Sequence, residues 1–173
     1  GAPLPDEDND GLPDQSDPQP GRSNPVLLDE AFDDLGGGWI FSSVSMRIDE
    51  QASLLTVDRL EAQEREGWVG PQPAWGNYVA RARVRVNSVG TANDSRSGHV
   101  GIIARVQQVT PSRYYTCGVD LRRQELVLAD HQGSNRDTLA SHPSTLMRGE
   151  WVELVVTARG PVLSCGIAGQ TPV

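Results

Sequence analysis

Residues 78–86 read YVARARVRV, and this stretch decides the fold class. From Tyr78 onward every second residue is apolar or small, and Arg81, Arg83 and Arg85 lie between them. Because successive side chains on a strand point to opposite faces of a sheet, the two sets occupy different faces. The pattern therefore predicts a half-buried β-strand. The arginine row is interpreted as a solvated outer face, and a groove for an anionic ligand is the alternative.

Short apolar stretches of the same kind recur from Val26 onward, separated by Gly, Pro, Asn, Asp and Ser. No segment has the wide apolar stripe of a long helix. Many short strands divided by turn residues are typical of an antiparallel β-sandwich, and the fold class is predicted as all-β. The predicted strands are residues 26–28, 39–41, 54–57, 78–86, 100–107, 114–121, 125–129, 151–158 and 162–167.

Length and charge limit the classes of function. The chain has 173 residues and a net charge of −8 at pH 7. An acidic surface repels the phosphates of nucleic acids and is compatible with divalent cations. No apolar run approaches the roughly 20 residues that a membrane-spanning helix needs. The sequence begins at Gly1 without Met and without an apolar leader, so we expect a mature or engineered start from which any export signal has been removed.

The first acidic segment has the spacing of a calcium loop. Residues 6–17 read DEDNDGLPDQSD, with carboxylates at positions 1, 3, 5, 9 and 12 of the segment and Gly at position 6. Calcium takes six to eight oxygens at about 2.3–2.6 Å, and glycine permits the sharp turn. A solvated acidic tail is the alternative. The predicted ligands are the carboxylates of Asp6, Asp8, Asp10, Asp14 and Asp17 and the carbonyl of Leu12.

This motif, followed by Pro18, resembles a thrombospondin type 3 repeat over residues 6–18. Such repeats are extracellular calcium-binding connectors, so the resemblance implies a secreted or cell-surface protein. An EF-hand would need flanking helices, which the surrounding prolines exclude. We therefore divide the chain into a calcium-binding, proline-rich segment, residues 1–25, and a β-sandwich domain, residues 26–173.

The body of the chain carries a second resemblance. Its motifs are LDEAFDD at 28–34 with GW at 38–39, WGNYVARARV at 75–84, GIIARV at 101–106, RYY at 113–115 and GEWVEL at 149–154. They resemble a laminin-G-like or concanavalin-like jelly roll. More narrowly, they resemble the bacterial group of 3-keto-disaccharide hydrolases and family 66 carbohydrate-binding modules.

The resemblance carries two structural expectations. Members of this group continue past the turn at Gly169 and Gln170 with further strands. We therefore expect a sandwich that lacks its final strand and has an open sheet edge. Truncation or clipping of the chain would explain the missing strand, and a partner chain that supplies this strand is the third explanation. Related sandwiches also hold a calcium ion beside the first strand. The resemblance thus marks a possible second metal site, formed by Asp29, Glu30, Asp33 and Asp34.

Candidate ligand-binding residues follow from the chemistry of sugar binding, which needs exposed aromatic rings and planar hydrogen-bonding groups. The candidates are Trp68, Trp75, Tyr78, Arg105 and Tyr114. Trp68 is favoured because glycines flank it, whereas core packing is the alternative for Trp75 and Tyr78. The strand context of Trp39 and Trp151 predicts that both are core residues.

The two cysteines, Cys117 and Cys165, each lie in an apolar, strand-like stretch. Two buried free thiols are one interpretation. A disulfide between neighbouring strands is the other, and the extracellular signals favour it.

Two catalytic motifs of hydrolases are missing from the sequence. It contains neither Glu-x-Asp-x-x-Glu, which family 16 glycosidases require, nor Gly-x-Ser-x-Gly. His99, His131 and His142 lie in or beside turn-rich stretches and are predicted at the surface. We therefore expect a non-catalytic, calcium-binding recognition module that binds a glycan or a cell-surface protein in adhesion. The alternatives are a sugar-processing hydrolase and a structural subunit completed by a partner strand.

Overall fold

The structure is a computed structural model, and it contains only strands and turns in the residues that it describes. These residues are Pro5, Glu7, Asp14, Gly21, Ala31, 39–41, 46–49, 51–52, 54–57, 67–69, 76–87, 99–109, 112–133, 135–170 and 172–173. The strands are β1 (Trp39–Phe41), β2 (Met46–Asp49), β3 (Leu54–Val57), β4 (Gly67–Val69), β5 (Tyr78–Arg85), β6 (His99–Val109), β7 (Ser112–Asp120), β8 (Glu125–Gln132), β9 (Asn135–Pro143), β10 (Trp151–Arg159) and β11 (Val162–Ile167).

The chain divides into two compact units. One unit consists of Pro25–Ala74 and Gly90–Ser97, and its described strands form two antiparallel pairs, β1 with β4 and β2 with β3. The other unit consists of Gly1–Asn24, Trp75–Val89 and Gly98–Val173.

Two antiparallel sheets build the second of these units. The three-stranded sheet has the order β11-β10-β5, and the four-stranded sheet has the order β6-β7-β8-β9. Each sheet contributes one apolar face to a common core, and burying a Leu or Val side chain contributes about 1.5–3 kcal/mol. This arrangement confirms the predicted all-β, antiparallel sandwich. The central core residues are Cys117, Val119, Leu126, Leu128, Leu154, Val156, Cys165 and Ile167.

A disulfide joins Cys117 on β7 to Cys165 on β11, with 5.3 Å between the Cα atoms. Both cysteines are fully buried. The predicted disulfide is confirmed, but the strands that it joins belong to different sheets rather than lying side by side in one. The bond therefore fastens the four-stranded sheet to the three-stranded sheet through the core.

The end of the chain lies beside β11, the last strand in the order of its sheet. The amide of Val173 donates to the carbonyl of Cys165 over 2.7 Å, and the amide of Cys165 donates to the carbonyl of Val173 over 2.8 Å. The last residue of the sequence thus makes a two-bond antiparallel bridge to β11.

Candidate functional site

The outer face of the three-stranded sheet gathers arginines around one tryptophan. On β5, Arg81, Arg83 and Arg85 are exposed, whereas the alternating positions are half-buried. In the register with β10, Trp151 lies opposite Arg85 and Glu153 lies opposite Arg83. The alternation in residues 78–86 therefore places the arginine row as the sequence predicts. We call these five residues the arginine face.

Trp151 is the aromatic residue of this face. It is 39% exposed, and the Cζ atoms of Arg85 and Arg83 lie 4.8 and 5.3 Å from its ring centroid. Both distances are within the range of a cation–π interaction. The expectation that Trp151 is a core residue was wrong. Trp151 lies an odd number of residues from the buried Leu154 and Val156, so its side chain is on the opposite face of β10. This spacing in the sequence could have predicted the exposed position.

The charges of the arginine face are only partly compensated. Arg81 forms an ion pair with Glu153, with 3.6 Å between Nη1 and Oε1, and both side chains are exposed. Among the described residues, Arg83 and Arg85 make no ion pair, and their recorded side-chain partner is the ring of Trp151. The face thus presents an accessible aromatic ring beside two guanidinium groups that have no ion-pair partner in the part of the chain that the structure describes.

Two of the candidate ligand-binding residues contact each other. The Tyr78 hydroxyl accepts a hydrogen bond from the amide of Arg105 over 2.9 Å. The Arg105 guanidinium donates to the carbonyl of Gly160, whose amide donates to Oδ1 of Asn77 over 2.8 Å. Arg105 has a φ of 52°, which is strained for a residue with a side chain. The contacts join β5, β6 and the turn between β10 and β11.

Burial is the main feature of Tyr78 itself. It is half-buried and packs against the core cluster. Burial raises the pKa of its hydroxyl, and the nearby Arg105 opposes that shift. Tyr78 and Arg105 thus lie at a packed corner of the sandwich and not on the arginine face.

Tyr114 lies on the face of the four-stranded sheet that points away from the core of the sandwich. It is 4% exposed, and its ring stacks on His131 with centroids 4.6 Å apart and planes 15° apart. His131 Nε2 lies 3.1 Å from the hydroxyl of Thr116. The prediction that His131 is a surface residue was wrong, because its residue is only 3% exposed. His142, by contrast, is exposed as predicted.

His99 lies on this face of the four-stranded sheet as well and is half-buried, which also contradicts its predicted surface position. A guanidinium nitrogen of Arg136 lies 3.3 Å from its Nδ1. Burial, and next the positive charge of Arg136, lower the pKa of His99 from 6.5 to about 4. The imidazole is therefore neutral near pH 7, and a neutral ring can accept the hydrogen bond from Arg136.

Some predicted residues lie partly or wholly outside the described residues. The backbone of Trp68 lies in β4 opposite Ile40, and its side chain is not described. The predicted aromatic residue outside the described residues is Trp75. The predicted calcium ligands outside them are Asp6, Asp8, Asp10, Leu12 and Asp17, and the whole second metal cluster, Asp29, Glu30, Asp33 and Asp34, also lies outside.

Asp14 is the predicted calcium ligand that the structure describes. Its amide donates to the carbonyl of Pro5 over 2.8 Å, and its Oδ1 accepts from the amide of Glu7 over 2.8 Å. These bonds hold Asp14 next to Pro5 and Glu7.

The described residues hold neither a candidate metal cluster nor a candidate membrane span. They contain no group of three or more His, Cys, Asp or Glu residues placed to hold a metal ion. Within the same ranges, no helix is long and apolar enough to cross a membrane.

Comparisons with known proteins give one structural relative. No protein-family model matches the sequence, and no curated protein matches it significantly. The structure is similar to that of the carbohydrate-binding module CBM66 from Bacillus subtilis, with a TM-score of 0.57 and 9% sequence identity. The alignment covers 79% of this chain and 77% of that module. At this identity the likeness shows a common β-sandwich fold, of the kind that the sequence motifs predict.

Proposed function

We propose that this protein is a non-catalytic carbohydrate-binding module whose binding site is the arginine face. The observation that carries the proposal is the exposed ring of Trp151 beside Arg83 and Arg85. The fold supports it, because the structural relative is itself a carbohydrate-binding module.

The chemistry of the face suits a sugar ring. An exposed indole offers a flat apolar surface with a polar edge, on which the C–H side of a sugar can pack. Each guanidinium presents several N–H donors in a fixed plane, and sugar hydroxyls accept such hydrogen bonds. Large aromatic residues and arginines supply much of the binding energy in many recognition sites. Trp151 is therefore expected to dominate the affinity.

Trp151→Ala tests the proposed site. We expect the wild-type protein to bind at least one class of polysaccharide on a glycan array, and the variant to bind it at least about tenfold more weakly, as loss of a central aromatic contact implies. Leu139→Ala is the matched control, because Leu139 is also an exposed apolar residue on a strand, in the other sheet. Equal binding by all three proteins would exclude the arginine face as the site.

We also propose that residues 6–17 bind calcium and that the protein works outside the cell. The donor spacing supports the first statement, and so do the hydrogen bonds that bring Asp14 next to Pro5 and Glu7 at the other end of the predicted loop. The disulfide supports the second statement, because such bonds persist in oxidising compartments. Calcium would stiffen the segment that precedes the sandwich.

Calcium titration by calorimetry tests the loop. We expect saturable binding with a dissociation constant of about 10⁻⁴–10⁻³ M or tighter, the range of extracellular modules. Asp8→Asn should weaken it at least about tenfold, because a charged ligand is replaced by a neutral one. Asp137→Asn, at an exposed position on β9, is the control. A wild-type titration without heat of binding, or equal affinity in the Asp8 variant, would contradict the proposal.

A further inference from the structure

We infer that the ligand of the arginine face is an acidic polysaccharide, whose carboxylate or sulfate groups bind Arg83 and Arg85 while a sugar ring packs on Trp151. The inference rests on the proposed function and adds the chemical class of the ligand. It stands on charge complementarity, which is a separate observation from the aromatic surface.

The charge of the face is opposite to that of the chain. The protein has a net charge of −8, yet three arginines occupy alternate positions of β5 and point to one side. Side chains two residues apart on a strand start about 6.6–6.8 Å from each other, so the guanidiniums form a short positive row. Such a row attracts anions locally even on a protein that is negative overall.

Within the described ranges, one of the three arginines of the row has a carboxylate partner. Glu153 pairs with Arg81 at 3.6 Å, whereas Arg83 and Arg85 make no ion pair among the described residues. A purely structural arginine face would gain from a carboxylate beside each guanidinium. Both of these guanidiniums instead lie at an exposed aromatic ring. Arginine binds carboxylates and sulfate-like oxyanions through two parallel N–H···O bonds, which a hydroxyl group cannot match.

Glu153 then acts as a specificity-determining residue. It lies opposite Arg83 in the register and places one negative charge on a face that would bind an anion. Removing that charge should strengthen the binding of an acidic glycan. An increase in affinity cannot result from misfolding, so Glu153→Gln provides a test that unfolding does not mimic.

The experiment uses two matched pairs of polysaccharides. Polygalacturonate is compared with its fully methyl-esterified form, and dextran sulfate is compared with dextran, so that each pair differs in charge and not in backbone. Affinities are measured by calorimetry at 50 and 200 mM NaCl. We expect at least one charged member to bind about tenfold or more tightly than its neutral partner. Its affinity should fall about tenfold between the two salt concentrations, as two ion contacts to a polyanion imply.

The variants separate the contributions. Arg83→Gln with Arg85→Gln should abolish the preference for the charged member, and Glu153→Gln should raise its affinity about two- to fivefold. Arg113→Gln, which removes an exposed arginine from β7 of the other sheet, is the control for a general loss of positive charge. Thermal unfolding of each variant shows whether it is folded at the temperature of the titration.

The outcomes distinguish the inference from the function on which it rests. Binding of polygalacturonate alone assigns a carboxylate, and binding of dextran sulfate alone assigns a sulfate. Equal binding of charged and neutral members, lost in Trp151→Ala, overturns the acidic ligand and leaves carbohydrate binding in place. A charged preference that survives in the double arginine variant also overturns the inference. Failure to bind any polysaccharide here or on the array contradicts both statements.

Discussion

His99 lies on β6 with its ring close to Gly118, and Arg136 reaches it from β9. Its pKa falls to about 4 because burial and Arg136, with a smaller effect of His131, disfavour the charged form, while Asp120 favours it. In an unfolded chain the pKa would be about 6.5. The folded protein therefore binds fewer protons than the unfolded chain between these two values.

This difference predicts a pH dependence of stability. The contribution of His99 to the free energy of unfolding is fully present above about pH 6.5. As the pH falls toward 4, the free energy of unfolding decreases by about 3 kcal/mol in total. Thermal unfolding measured from pH 4 to pH 7 should show this loss, and His99→Gln should flatten the profile. The exposed His142, changed to Gln, is the control. An identical pH profile in the His99 variant would contradict this origin.

Particular residues show how much of the site could be predicted. The exposed arginine row followed directly from the alternation around Arg83. The strand context of Trp151 predicts a core residue, although Trp151 alternates with the apolar positions of β10 and therefore faces outward. The turn-rich stretches around His131 and His99 predict surface positions. Their burial depends on partners far along the chain, such as Arg136, which no local pattern reveals.

At the scale of elements, two facing glycines allow β6 and β7 to approach closely. Gly101 lies opposite Gly118 in the register. A Cβ atom on Gly118 would lie 2.5 Å from the carbonyl oxygen of Val100, 2.7 Å from Nε2 of His99 and 3.0 Å from Cα of Gly101. Two of these atoms belong to the backbone, so a Cβ atom could be accommodated only if the paired strands shifted. The pair therefore sets how closely the two strands can pack.

Gly118→Ala should consequently destabilise the fold. We expect a loss of about 1–3 kcal/mol in the free energy of unfolding, which is the usual effect of overpacking. Gly76→Ala is the control, because a Cβ atom there meets no described atom within 4 Å. Chemical denaturation of both variants measures the difference. If the two substitutions cost the same, steric crowding between β6 and β7 would not explain the glycine pair.

The strands differ in how well their sequences predicted them. Residues 39–41, 54–57 and 162–167 match β1, β3 and β11. The strand predicted at residues 26–28 lies outside the described residues. β2 is not predicted, and the glycines at 67 and 70 favour a loop where the structure has β4. β9 was missed because it reads NRDTLASHP and is mostly exposed at the end of its sheet, so it has no alternating apolar set. β8 was predicted to end at Ala129, because the polar residues that follow resemble a turn although His131 is buried.

At the scale of the whole molecule, the covalent bond through the core has a calculable effect. The disulfide joins residues 48 positions apart in sequence. In the chain-entropy model, closing a loop of this length raises the free energy of unfolding by about 4 kcal/mol, because the unfolded chain loses freedom. Changing both cysteines to alanine should lower the unfolding free energy by about 2–4 kcal/mol in guanidinium titrations. A variant as stable as the wild-type protein would show that core packing alone holds the two sheets together.

The same bond also decides how the protein responds to a mechanical load. When the chain is pulled between its ends, tension passes from Cys117 to Cys165 through the sulfur atoms, and the strands between them bear none of the extension. A segment of 48 residues would otherwise lengthen by about 160–170 Å. Single-molecule stretching should therefore release about that much more length after reduction. A module that holds a polymer under flow would keep β8, β9 and β10 out of the path of the force.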